Sequence, residues 1–295
     1  MTTKNSRKRM NRIFIVSMLI VPIVHWFIFY LGVNFNSILM AFKLPTGDWS
    51  TLTLKDSFQA FGEEGSSISI AMRNTTLYFL KDTLMLAFNF IVSYFFYKRV
   101  RFYRGFQLIF YIPGVVSGVA IANMYSNFVA PDGPIGLLLG KLGMDPVPEL
   151  LANSDYATWT IMFFSIWLGW LGNMLFICGA MSRIPMELLE SAKLDGITTG
   201  QELIRMILPL VWPTMSTLLI LNICGFFGSG GPILLFTKGL YETTTLSYWL
   251  FDKVKYAGES AYNEVAATGL ILTLVGAPII LFFRWLIEKI PVVEY

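Results

Sequence analysis

Long apolar runs alternate with short polar stretches over the whole chain. The hydrocarbon core of a bilayer takes about 20 apolar residues per helix. Windows of that order stand at 13–42, 75–97, 106–130, 158–181, 204–227 and 265–283. Most carry no charge; the second holds Lys81 and Asp82, and the fifth holds Arg205 near its start. The first is longer than a span requires, so it tilts or runs on beyond the bilayer. The pattern predicts an all-α membrane protein with six transmembrane helices. Shorter helices are expected outside the membrane at 135–142, after the turn Asp132-Gly133-Pro134, and at 247–257.

The stretch 183–213 has a pattern of its own. Pro185 suits a helix start, because proline fixes φ and lacks only a donor that the first turn leaves unpaired. Leu188, Leu189 and Ala192 then fall on one side at helical spacing, while Glu187, Glu190, Lys193 and Asp195 fall largely elsewhere. Gly196 stops the helix, since it takes positive φ at no steric cost. Thr199 with Glu202 reads as a capping box that opens a second helix into the fifth apolar window. The result is a compact knob at the membrane surface, shaped to be held by something.

Composition agrees with the windows: 55% of residues are hydrophobic and 14% charged, where a soluble domain is about a quarter charged. Cys178 and Cys224 both lie in predicted spans, so no disulfide framework is expected. One histidine and two dispersed cysteines supply no cluster at ligand spacing. No catalytic or metal-binding residues are therefore assigned, and nothing points to nucleic acid.

Charge distribution sets the orientation. With the N-terminus inside, the inner side carries Lys4, Arg7, Lys8, Arg9, Arg12, Lys98, Arg99, Arg101, Arg104, Arg183, Lys193, Arg205, Arg284 and Lys289. The outer side carries only Lys43, Lys55, Arg73, Lys141, Lys238, Lys253 and Lys255. Both termini, and the knob, are expected in the cytoplasm. The first apolar run far exceeds a signal-peptide core and ends without a small-x-small cleavage site, so it reads as a retained span.

Polar residues inside the windows are the candidates for a pathway. His25 is either a bundle-facing residue bonded to a neighbour or part of a proton relay. Lys81 and Asp82 are adjacent and do not share a helix face; they pair between helices near the outer interface, or one of them lines a pathway. Asn123 and Asn127, four apart, glue helices together or line a polar cavity. Trp167, Trp170 and Asn173 recur at three-residue intervals, as packing or as a face on which a sugar could stack. Asn222, Phe226 and Ser229 lead into Gly230-Gly231-Pro232, where the helix must break. Broken backbone at membrane depth needs protein or a water-filled cavity around it, so 222–232 reads as a substrate-facing wall or as an outer helix end with a loose loop. Pro209 and Pro213 are expected to kink the fifth helix.

At the knob, Glu190-Ser191-Ala192, Gly196 and Met206-Ile207-Leu208-Pro209 resemble the cytoplasmic loop of permease subunits of binding-protein-dependent ABC importers, whose pattern is Glu-Ala-Ala, a glycine, then Ile-x-Leu-Pro. Ser191 and Met206 depart mildly from it. Ile184-Pro185-Met186-Glu187-Leu188 and Asp195-Gly196 are similar to the carbohydrate-uptake branch of maltose, glycerol-phosphate and oligosaccharide type. Asn74-Thr75, Arg104-Gly105-Phe106 with Pro113, Asp132-Gly133-Pro134-Ile135, and Gly230-Gly231-Pro232 with 243–246 resemble further stretches of these permeases, so the likeness runs from about Asn74 to the end of the chain and, more loosely, takes in the first span.

The resemblance implies the type I ABC importer permease fold with a cytoplasmic coupling helix. It implies segments 1–12 (cytoplasmic), 13–73 (first transmembrane helix and outer segment), 74–288 (transmembrane core) and 289–295 (cytoplasmic tail). It also implies a multi-pass protein of a bacterial cytoplasmic membrane that imports a sugar or oligosaccharide. Pro185, Glu187, Leu188, Glu190, Ala192, Asp195, Gly196, Leu208 and Pro209 would couple to an ATPase, with Leu188, Leu189 and Ala192 filling its groove and Glu190 meeting a basic residue there. The pathway residues would be Asn123, Asn127, Trp170, Asn173, Asn222, Phe226 and Ser229. The chain has no G-x-x-x-x-G-K-[ST] phosphate loop, so it is expected to bind no cofactor; ATP and Mg would sit on two partner ATPase subunits. A second, related permease and an extracellular solute-binding protein complete the expected partners. The alternatives are a permease for a non-sugar solute, or an ion-coupled secondary transporter, for which Asp82 is the only carboxylate deep in a window.

Overall fold

The computed structural model describes residues 2–169 and 171–291; Met1, Trp170 and the last residues of the expected tail, 292–295, lie outside the described residues. The chain is helical almost throughout, with a lone β-bridge between Lys43 and Trp49 among the described residues. Helices long and apolar enough to cross a membrane run Met10–Ala41, Ser67–Tyr97, Ala157–Met181, Thr199–Cys224 and Tyr262–Glu288. The third window is different. It is no single span but a pair, Tyr103–Val115 and Gly118–Lys141, bent by 104°. The reason is local: Val116 and Ser117 swing to extended ψ values of 146° and 128°. Pro113, inside the first half, withholds a donor and crowds the preceding turn. Counted as one broken span, the pair brings the total to the expected six.

The short helices form within a residue of expectation, at Pro134–Lys141 and Leu246–Tyr256. In the first span the turns widen to a π-helix over Trp26–Gly32, directly after His25, which is exposed and lies 4.8 Å from the Phe29 ring.

The described chain divides into two compact units. In the first, Met1–Ala60 with Lys253–Val275, the buried Asn263 amide donates to the carbonyls of Met40, Lys43 and Leu44. Lys253 pairs with Glu264 at 2.9 Å.

The second unit, Phe61–Asp252 with Gly276–Tyr295, is built around Ser67–Tyr97. Ser66 caps this helix by accepting from the Ser69 amide. Near its outer end the buried Asn74 amide donates to the Glu242 and Thr244 carbonyls at 2.6 and 2.9 Å, and the Leu246 amide donates to Thr75 Oγ1 at 2.9 Å. That grip holds a loop in which Lys238, Tyr241 and Glu242 all take left-handed φ, a region L-residues seldom enter. Midway, Tyr78 packs with Ile161, Met162 and Ile233. Toward the other end, Leu86, Phe90 and Tyr94 join Ile177, Met181, Ile184, Leu189, Ile207, Val211 and Met215 in one apolar cluster. Just beyond the helix, Lys98 Nζ lies 2.5 Å from Glu202 Oε1, whose side chain is 5% exposed.

The knob has the expected shape with one shift. Pro185 caps a helix over Met186–Leu194, and Gly196 makes the turn at φ 74°. The capping box is Thr198 with Gln201, not Thr199 with Glu202. Glu202 is instead drawn inward to Lys98, and a glutamine serves the box equally well. The fifth span then opens as a π-helix over Glu202–Ile207, directly before Pro209. Proline there offers no amide and crowds the carbonyl four residues back, which a wider turn relieves.

Candidate functional site

A cavity of about 420 Å³ lies among the helices of the second unit. Ser67–Tyr97 contributes Lys81, Met85 and Asn89, spaced by four and therefore on one face, with Asp82 beside them. Ser165 and Gly169 come from the first half of the Ala157–Met181 span, and Asn173 and Phe176 from the second. Leu218, Leu221 and Asn222 come from the fifth span, and Gly225, Gly228, Ser229 and Gly230 from the broken backbone after it.

Several polar wall residues are engaged with neighbours. Lys81 Nζ meets Asp82 Oδ1 at 2.6 Å, with the lysine side chain 10% exposed and the aspartate 39%. Adjacent Cβ atoms do point apart, but the long lysine stem reaches around, so the expected pairing with another helix gives way to pairing with each other. Lys81 also stands 5.5 Å over the Tyr78 ring. The Asn222 amide donates to Thr83 Oγ1 at 3.3 Å, tying the fifth span to the second. Asn89 is 2% exposed and its Nδ2 has no hydrogen-bond partner. A buried donor left unpaired costs about 1–3 kcal/mol.

The break after Cys224 follows from packing. Gly225 ends the helix, a single 3₁₀ turn covers Phe226–Gly228, and the chain then presses inward. A Cβ at Gly231 would lie 2.8 Å from the Tyr78 hydroxyl and 2.9 Å from Ile161 Cγ2, so only glycine fits. Ser229 is buried on the cavity side of this passage.

Of the expected pathway residues, Asn173, Asn222 and Ser229 come together here. Phe226 turns aside and packs edge-on against Phe79, ring centroids 5.1 Å apart. Asn123 and Asn127 are exposed on Gly118–Val129 and do not line the cavity. Trp170 lies outside the described residues. Asn89 was not singled out from sequence; its spacing of eight from Lys81 is the signal that marks it.

The knob departs from expectation in which face it presents. Leu189 is 2% exposed and sits in the chain's own apolar cluster, with Leu188 packed against it. Ala192 is half-buried. Leu188 and Leu189 thus root the helix in its own chain, which leaves Leu189 no surface for a partner's groove. Pro185, Glu187, Glu190, Asp195 and Gly196 are exposed. Glu187, Glu190 and Leu194 share the outer face, and Leu194 is 89% exposed. Leu208 and Pro209 are half-buried at the root, with Leu208 against the same cluster.

A multi-pass helical chain with a polar cavity walled by a fifth span, and a surface helix rooted under that same span, defines a class: this is the fold of a type I ABC importer permease. Over 97% of its length the chain superposes on 99% of a chain in the crystal structure of a bacterial ABC transporter involved in import of the acidic polysaccharide alginate, with TM-score 0.77 and 22% identity. A chain in the crystal structure of a bacterial alginate ABC transporter in complex with an alginate pentasaccharide-bound periplasmic protein matches over 93% of this chain and 94% of that one, at TM-score 0.75 and 23% identity. In sequence the chain is 28% identical over 184 residues to the probable ABC transporter permease protein YesP of Bacillus subtilis, covering 61% of this chain and 59% of that protein. It is 27% identical over 245 residues to the sn-glycerol-3-phosphate transport system permease protein UgpA of Yersinia pestis, covering 80% of each. No family model matches. The relatives are ABC transporter permeases, in agreement with the resemblance carried by residues 190–209.

Proposed function

We propose that this chain is the membrane-spanning permease subunit of an ATP-driven importer and passes a sugar or oligosaccharide inward. The observation that carries the reading is the double use of the fifth span: its first residues root the knob, and its far end walls the cavity. A movement of the knob is thereby a movement of the cavity wall. ATP hydrolysis, with Mg, belongs to two separate ATPase subunits, which hold the outward face of Met186–Leu194 with Glu190 against a basic residue. A second permease completes the pathway, and an extracellular binding protein delivers the solute; the alginate transporter in complex with a pentasaccharide-bound periplasmic protein supports the last of these. The excess of lysines and arginines on one side of the spans supports a topology with both termini and the knob in the cytoplasm of a bacterial cell. A non-sugar solute is the second reading, favoured by the likeness to a glycerol-phosphate permease.

The test is Glu190→Lys in the whole complex. Uptake is expected to be lost and the ATPase to be released during purification, while the permease reaches the membrane in normal amount. Unchanged uptake and unchanged co-purification would remove the knob from the coupling role.

A further inference from the structure

The chemistry of the cavity says more about its cargo than that it is a solute. We propose that this chain's part of the pathway selects an uncharged, polyhydroxylated ligand, a neutral sugar, and disfavours acidic sugars and sugar phosphates. The proposal rests on the permease reading above and names the substrate class of the same cavity.

The argument begins with charge. Among the described residues, Lys81 and Asp82 are the only ionisable groups on the cavity wall. They neutralise each other at 2.6 Å, and the acid is the more exposed of the two. An anion entering a low-dielectric cavity needs a free cation to replace its hydration. Here the cation is nearly buried and already engaged, and the first charge an incoming ligand meets is a carboxylate. A carboxylate or phosphate group on the ligand would be repelled. A hydroxyl is well served, because Asp82 retains lone pairs for a charge-assisted hydrogen bond.

The remaining polar groups fit the same cargo. Asn89 lines the cavity, is 2% exposed, and has an Nδ2 without a hydrogen-bond partner among the described residues. A buried donor without a protein partner gains a hydrogen bond when a ligand oxygen reaches it. Asn173, Asn222 and Ser229 supply further neutral groups that both give and accept hydrogen bonds. Phe176, 65% exposed, offers an apolar face to the C–H side of a pyranose ring. Many neutral donors and acceptors with, among the described residues, one carboxylate and one aromatic ring suit a neutral sugar, whereas the alginate and glycerol-phosphate transporters are named for anions.

The test uses the whole transporter, purified with the subunits that accompany it and reconstituted in lipid vesicles with its binding protein. ATP-dependent uptake is measured for a panel of radiolabelled neutral di- to tetrasaccharides, uronate oligosaccharides of the same lengths, and glycerol phosphate. Uptake confined to neutral members is expected. Uptake of a uronate or phosphate ester equal to or faster than any neutral sugar overturns the inference but leaves the permease reading standing. Absence of ATP-driven uptake for every member removes the permease reading and the inference with it.

Two variants then locate the selectivity. Asp82→Asn frees the Lys81 charge, so uptake of the neutral cargo should fall at least about tenfold, with acidic probes gaining. Asn89→Leu removes a donor that has no partner in the protein, so the complex should keep its thermal stability while KM for the neutral cargo rises about tenfold at unchanged kcat. If KM is unmoved by Asn89→Leu and the neutral-to-acidic ratio is unmoved by Asp82→Asn, the inference is wrong.

Discussion

The two ends of the fifth span are built on opposite principles. At its start, the root of the knob is apolar and closed: Ile207, Val211 and Met215 interlock with Leu86, Phe90 and Leu189, and Lys98 clamps the buried Glu202. At its far end the same helix faces a cavity through Asn222, tied by one hydrogen bond to Thr83, and then dissolves into glycine-rich backbone beside an unpaired Asn89. A close-packed interior transmits displacement because it cannot deform cheaply. A wall of polar side chains with spare hydrogen-bonding capacity can rearrange around a guest. In the coupling role proposed above, force would enter where the protein is stiff and be used where it is adaptable.

That contrast can be broken most severely at the clamp. Lys98→Met leaves Glu202 buried and unpaired, and should destabilise the isolated permease by about 3–5 kcal/mol. Thermal unfolding in detergent would register it, and the double variant Lys98→Met with Glu202→Leu should recover most of the loss. Gly231→Ala tests whether the broken backbone is itself rigid. The new methyl must displace Tyr78 or Ile161, so a loss of about 1–3 kcal/mol is expected; a neutral result would mean that the passage beside the cavity is as loose as the wall. Leu194→Ser separates docking from folding. A residue this exposed should change stability by less than about 0.5 kcal/mol, yet the yield of co-purified ATPase should drop. If that yield holds while melting shifts, the outer face of the knob supports its own chain and nothing else.

Much of this was legible in the sequence, because membrane helices announce themselves by length and apolar content. The windows at 75–97 and 158–181 became Ser67–Tyr97 and Ala157–Met181 with only their ends adjusted, and Pro185 and Gly196 bracketed the knob helix as their backbone preferences require. What periodicity could not supply was the partner of each face. Leu188 and Leu189 were correctly placed on one side of a helix, but whether that side meets its own chain or another depends on Ile184 and Ile207 folding back over it. The bend at Val116 and Ser117 escaped for a related reason: hydropathy sees an unbroken apolar run and is blind to ψ. Lys81 and Asp82 lay outside the rule for shared faces because that rule concerns Cβ directions, not the reach of a lysine. Asn173, Asn222 and Ser229 were found as isolated polar groups, whereas Asn89 needed the cavity to give it meaning.

The loop around Glu242 carries one more consequence. Three L-residues in left-handed backbone, gripped by Asn74 and Thr75, make a shape that is assembled before any visitor arrives. A surface set in advance surrenders little freedom on contact, so a partner that docked there would be captured by collision and orientation and not by refolding. Its rigidity also narrows the range of contours it can accept.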